Sequence, residues 1–101
     1  MSDTIKVLLV KPDWTPQIIK IESNLTAFQD MVMGYIEMVR ISDEYVAIVN
    51  EEGHLRKLDL NFQTDIDVIV GNAIICRTKG ENFASLKNGD EDKILDLIEL
   101  L

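Results

Sequence analysis

YVAIVNEEGHLRKLDL, residues 45–60, decides how the rest of the chain is read. Its first six residues are apolar save for Asn50, the composition of a strand with little contact with water. Asn50-Glu51-Glu52-Gly53 then matches a short hairpin connection, a type I turn closed by a left-handed glycine. Asn50 suits the first turn position because its side chain can bond to the backbone ahead. The sequence therefore predicts a strand over 45–50, a turn at NEEG with both acids exposed, and a fifth strand over 54–60. A competing reading makes Glu51, Glu52 and the only histidine, His54, a metal or acid/base site. Metal binding needs three or four converging ligands, and the one cysteine, Cys76, is separated from His54 by 21 intervening residues and sits on another predicted strand. Calcium needs a denser set of oxygen ligands. The turn is the better account.

Outward from this stretch the period changes element by element. TIKVLLV (4–10) and QIIKIE (17–22) read as a strand pair, joined through KPDWTP, where Pro12 and Pro16 interrupt the ladder. In SNLTAFQDMVMGY, Leu25, Phe28, Met31 and Val32 fall on one helix face. That predicts a helix over about 24–33 packed on the sheet, capped by Ser23 or Asn24 and ended by a left-handed Gly34. YIEMVRI (35–41) is a third strand, antiparallel to the fourth at 45–50. NFQTDID is a polar connector, and VIVGNAIICRT (68–78) is extended across a tight turn or bulge at Gly71-Asn72. KGENFASLKNGD reads as loop. EDKILDLIELL (91–101) closes the chain as a helix, with Ile94, Leu95, Leu97, Ile98 and Leu101 on its apolar face. Asp90, Glu91 and Asp92 stand where the helix dipole favours acids. The reading is one α+β domain over 1–101: a mainly antiparallel sheet of about five strands, one helix packed on it, and a C-terminal helix.

Composition bounds function mostly by exclusion. The 101 residues are 47% hydrophobic and 28% charged, an ordinary globular balance. Apolar runs such as VLLV and AIIC fall far short of the roughly 20 residues of a membrane helix. The opening MSDTIKVLLV lacks signal-peptide features, and a lone cysteine suits a reducing compartment, so the expected location is cytoplasmic. The net charge of −8 is unevenly spread: seven acids against two bases from Asp43 to Asp67, and six against two from Glu81 onward. Such a surface repels phosphate backbones and disfavours direct nucleic-acid binding. It either keeps the domain in solution or meets partners with basic surfaces.

No pattern in the chain supports catalysis. Cys76 in AIICRT reads as a small core hydrophobe. Serines stand outside any nucleophile-elbow pattern, and the five glycines are scattered singly, leaving no phosphate loop. No catalytic, cofactor-binding or metal-binding residue is expected. Trp14 either caps the end of the core or serves as an exposed recognition residue.

IKVLLVKP, FQDMVMGYIEMV, NEEG and VIVGNAII together resemble a family of small uncharacterised domains over about residues 4–78. Those domains are encoded by phages, prophages and conjugative elements of Gram-positive bacteria. Family members read Gly-Gly-Tyr-Ile-Glu at the helix end; here Met33 replaces the first glycine while Gly34, Tyr35, Ile36 and Glu37 match, as do Asn50, Glu51, Glu52, Gly53 and Gly71. LDLN lacks the proline of the family's Leu-Pro-x-Asn stretch. No activity comes with the resemblance. It implies a mobile-element protein in a bacterial cytoplasm that acts on host machinery. The leading expectation is thus a non-enzymatic interaction protein, an acidic inhibitor of a host nucleic-acid-binding or defence protein with a basic surface. Its candidate surface is Tyr35, Glu37, Glu51, Glu52 and Trp14. The alternative is a small-ligand, nucleotide-type binder acting as a homo-oligomer, with a homodimer as the simplest form.

Overall fold

The computed structural model describes residues 3–101. Strands β1 (Thr4–Val10) and β2 (Gln17–Glu22) form the expected antiparallel pair, followed by α1 (Leu25–Val32). Strands β3 (Ile36–Arg40) and β4 (Tyr45–Asn50) pair antiparallel, also as expected. Next come β5 (Leu60–Gln63), β6 (Val68–Val70), β7 (Ala73–Lys79), β8 (Asn82–Ala84), α2 (Asp90–Leu97) and β9 (Glu99–Leu100). The fold is α+β and mainly antiparallel. The strands divide into two sheets: β2-β1-β7-β4-β3 with β8 appended to β7, and a small second sheet, β6-β5-β9.

The central position belongs to β4 and β7 because both are apolar on both faces. All six residues of β4 and the first four of β7 are buried. Alternation sorts them into two cores. Val46, Ile48, Ile74 and Cys76 face α1, where Phe28 and Val32 pack with Ile5, Val7 and Ile21. Tyr45, Ala47, Val49, Ala73 and Ile75 face the second sheet and α2, meeting Phe62, Ile69, Ile94 and Ile98. The molecule is therefore layered: α1, the large sheet, then the small sheet with α2. Each fully buried Phe, Ile or Val side chain stabilises this arrangement by about 1.5–3 kcal/mol.

Besides NFQTDID, whose first three residues belong to β5 with Phe62 fully buried rather than to a polar connector, four sequence expectations are corrected. NEEG does not close a hairpin, and 54–60 is not a strand beside β4; β7 occupies that place. A segment carrying His54, Arg56, Lys57 and Asp59 cannot lie against a strand buried on both faces without burying unpaired charge, whereas AIIC can. Second, Gly34 does not take the left-handed conformation at the end of α1; Met33 does, at φ 61°. Third, 82–84 is strand rather than loop, turning back from β7 through Gly80 at φ 62°. Fourth, the closing helix stops at Leu97. Ile98 is extended, and β9 adds to the edge of β5, pairing Leu100 with Phe62 and Glu99 with Gln63. A helix continued to residue 101 would leave those β5 backbone groups unpaired. Leu97 and Leu101 are accordingly exposed, and so is Leu25 of α1. Gly71, at φ 74°, is a tight turn between sheets: β6 ends before it and β7 begins after Asn72.

Candidate functional site

Since β1 and β4 are both antiparallel to β7, they run the same way, with Leu8 and Ala47 both opposite Ile75. The loop after β1, the turn before β7, the segment after β4 and the start of β3 thus share one end of the large sheet. Polar side chains there fasten the C-terminus of α1. A helix ends with carbonyls that have no partner in the helix itself. Asn24 caps the other end, accepting from the Ala27 amide at 2.8 Å, so Asn24 rather than Ser23 starts the helix. At the C-terminus Met33 and Gly34 amides donate to the Gln29 carbonyl. Asn72 Nδ2 donates to Met31 O at 3.0 Å, and Asn50 Nδ2 to Val32 O at 3.1 Å and Met33 O at 3.2 Å. Arg56 Nη1 donates to Met33 O at 3.0 Å, a cation at the negative end of the helix dipole.

Asn50 is the hinge of this end. Its Oδ1 accepts from the Glu52 amide at 2.8 Å, the forward bond expected from the sequence. Its carbonyl accepts from the Gly53 amide at 3.1 Å. From Glu52 the chain makes a single helix-like turn, Arg56 N to Glu52 O, ended by Lys57 at φ 55° and a bond from Leu58 N to Gly53 O. Gly53 is required by packing, not by a positive φ: a Cβ there would lie 2.8 Å from Val70 Cγ2. Gly34 is required likewise, since its Cβ would stand 2.6 Å from Asn50 Nδ2. His54 Nε2 meets Val68 O at 3.0 Å and ties the turn to the edge of the second sheet.

The surface left by these contacts is a concavity of about 520 Å3 lined by Gln29, Met33, Tyr35, Asn50, Glu52 and Arg56, among others. Tyr35 is 67% exposed, and its carbonyl holds the Glu51 amide at 2.9 Å. On the other side of Asn50, Glu37, Glu51, His54 and Asp67 line a narrower slot of about 100 Å3 floored by Val49 and Ile69. Four of the five candidate residues, Tyr35, Glu37, Glu51 and Glu52, are thus brought around Asn50. The fifth, Trp14, shares the end of the sheet but lies across β7 and β1, beside Asn61, Leu100 and Leu101. Sequence reasoning missed Met33, Arg56 and Asn72 at this site. Arg56 and Asn72 carried no local signal because their partners are carbonyls of a distant helix. Met33 had one, the glycine that the resembled family carries at its position.

Cys76 sits fully buried in the core against α1, and burial pushes its thiol up to about 12, away from the nucleophilic thiolate. His54 is exposed on the far side of β4's terminal turn. Among the described residues no group of three His, Cys, Asp or Glu could hold a metal ion, and no helix is long and apolar enough to cross a membrane.

At the opposite end of the large sheet lies a buried ionic network that the sequence did not announce. Asp90, 1% exposed, accepts from Tyr45 Oη at 2.6 Å, Arg77 Nε at 2.6 Å, Arg77 Nη2 at 2.8 Å and the Lys87 amide at 2.7 Å. The Arg77 guanidinium holds the Asp90 carboxyl well below the usual carboxylate range, and Asp90 in turn raises Arg77. Burial, aided by the bond to Asp90, pushes the Tyr45 phenol up to about 12. Asp90, read from sequence as a dipole-favoured acid, anchors α2 to the sheet. Its partners come from elsewhere in the chain, so its neighbours in sequence could not reveal that role.

The chain belongs to the family described as Domain of unknown function (DUF3846), whose family model matches residues 5–99. No curated protein and no solved structure matches it.

Proposed function

We propose that this member of the DUF3846 family is a non-enzymatic interaction protein that presents an acidic, aromatic surface to a basic partner protein. The observation that carries the reading is the gathering of Tyr35, Glu37, Glu51 and Glu52 around Asn50, beside two adjoining concavities. Carboxylates there attract Lys and Arg side chains, and an exposed tyrosine offers a flat face for a cation. The glycines and Asn50 hold this surface on strand ends and a packed turn, so little order is lost when it meets a partner. The phage and mobile-element setting implied by the sequence resemblance supplies the kind of partner: a host nucleic-acid-binding or defence protein in a bacterial cytoplasm. Such proteins carry basic surfaces, and an acidic domain would occupy one in place of nucleic acid.

The test is affinity capture from a Gram-positive host lysate at low and at moderate salt, with the wild type beside a Glu51→Lys/Glu52→Lys double variant. The expected result is a basic protein retained at low salt, released as salt rises, and absent from the variant. If the wild type retains no basic protein at low salt, or the variant retains the same one, the reading fails.

A further inference from the structure

A second site, separate from the acidic surface, lies where the β1–β2 loop meets the C-terminal strand. Lys11 and Asp13 with Trp14, Asn61 and Leu100 line, among others, a cleft of about 350 Å3. Lys11-Pro12-Asp13-Trp14 is a β-turn with Pro12 second and Asp13 third at φ 63°, closed by Trp14 N to Lys11 O at 3.2 Å. It raises Trp14 into solvent, 64% exposed, with Lys11 Nζ 5.0 Å from the ring centre. Asn61 is only 2% exposed, and both of its amide protons go to carbonyls outside this lining, Val10 O at 2.8 Å and Gly71 O at 2.7 Å. Those two acceptors fix which way the amide faces. Its Oδ1 receives no hydrogen bond from any described residue. A buried acceptor left so costs about 1–3 kcal/mol, which a donor from outside the chain would recover.

The geometry points to a nucleobase-binding site with a mononucleotide as ligand. The unpartnered oxygen calls for an N–H donor, the indole for a flat ring, and the Lys11 ammonium over that ring, although Asp13 shares the lining, for an anionic group. A nucleotide carries all three on one scaffold. The cleft is at the lower end of the roughly 300–1,000 Å3 range of small-molecule sites, which fits a mononucleotide better than a dinucleotide. The Asn61 oxygen is covered in the free chain, so the cleft must open for a base to reach it, and the exposed Trp14 indole in the same lining offers the ring a stacking face. Base–aromatic stacking contributes about 1–3 kcal/mol.

Trp14 is the only tryptophan, so its fluorescence reports the site directly. The intact chain is titrated with AMP, GMP, CMP and UMP, and with inorganic phosphate. The expected result is a saturable change with at least one nucleotide and none with phosphate. Lys11→Gln, which keeps most of the half-buried stem and removes the charge, weakens the response about tenfold, the loss of one charge-assisted contact. Calorimetry shows no binding to Trp14→Ala. The Glu51→Lys/Glu52→Lys variant keeps the response, which separates this site from the acidic surface. The assignment is overturned by no saturable change with any of the four nucleotides, an equal change with phosphate, or unchanged affinity in Trp14→Ala.

Discussion

The two ends of the large sheet each fasten a helix, and they do so with opposite chemistry. At one end neutral amides, Asn50 and Asn72, together with Arg56 at the rim, satisfy the terminal carbonyls of α1. At the other, a carboxylate, a guanidinium and a phenol bind the start of α2 from beneath. The amide end divides its work among several modest hydrogen bonds, each contributing about 0.5–1.5 kcal/mol net. The ionic end concentrates four bonds on one buried carboxylate, so removing a single partner strands a charge away from water. The amide end therefore leaves an exposed surface around Asn50, while the ionic end buries its charges beneath α2.

The sharpest way to break the contrast is Asp90→Ala. It leaves Arg77 with only the exposed Glu44 carboxylate at 3.2 Å, and Tyr45 Oη and the Lys87 amide without their acceptor. The expected loss is about 3–5 kcal/mol, read as a lower urea midpoint with an unchanged slope. Asn50→Ala is the matching change at the amide end. It frees the Val32 carbonyl and the Glu52 amide, for an expected loss of about 2–3 kcal/mol. Asn50→Ala also perturbs Tyr35 signals in an NMR spectrum, whereas Asp90→Ala leaves them in place.

The pH dependence separates the ends further. Asp90 is depressed in the folded chain, so its contribution is complete above the unfolded carboxylate value near pH 4 and is lost as pH falls below it. Tyr45 is raised to about 12 from 10.0, so its contribution is complete below pH 10 and is lost as pH climbs toward 12. Stability should therefore form a plateau that falls at both edges. Asp90→Asn should flatten the acid edge in thermal melts, and Asn50→Ala should leave its shape unchanged. A parallel acid edge in wild type and Asp90→Asn would contradict the assignment.

Gly34→Ala should cost about 1–3 kcal/mol, because the new methyl meets Asn50 Nδ2 at 2.6 Å. In an Asn50→Ala background the same change should cost clearly less, since the two residues occupy one space and their effects cannot add. The smallest effect has the opposite sign. Met33 holds φ 61°, a conformation that disfavours any residue with a Cβ, so Met33→Gly should stabilise by about 1 kcal/mol in the same urea titration.

These residues also show where sequence reasoning worked. Asn50 was legible as the start of a turn because its forward bond to Glu52 is local. Its two bonds back to α1 span 17 and 18 residues and left no local trace. Gly34 and Gly53 were recognised as necessary, yet as left-handed glycines; the true reason is contact with Asn50 and Val70, which only packing reveals. Tyr35, Glu37, Glu51 and Glu52 converge because β3 pairs with β4, an arrangement the sequence did indicate. Trp14 stands apart because β7 and β1 intervene, and the sequence carried no strand order.

By itself the sequence determined the local patterns: extended runs in β1 to β4, wholly apolar in β4 up to Asn50, a three-to-four-residue stripe in α1, and the punctuation at Pro12, Asn50 and Gly71. These are set by neighbours within a few residues, where side-chain direction and backbone freedom suffice. The tertiary structure alone decided which strand lies beside β4, that 60–63, 68–70 and 99–100 form a second sheet, and that Asp90 is buried. Each of those depends on which distant surface removes apolar area from water or supplies a missing hydrogen-bond partner. Such competition is settled only when the whole chain is packed.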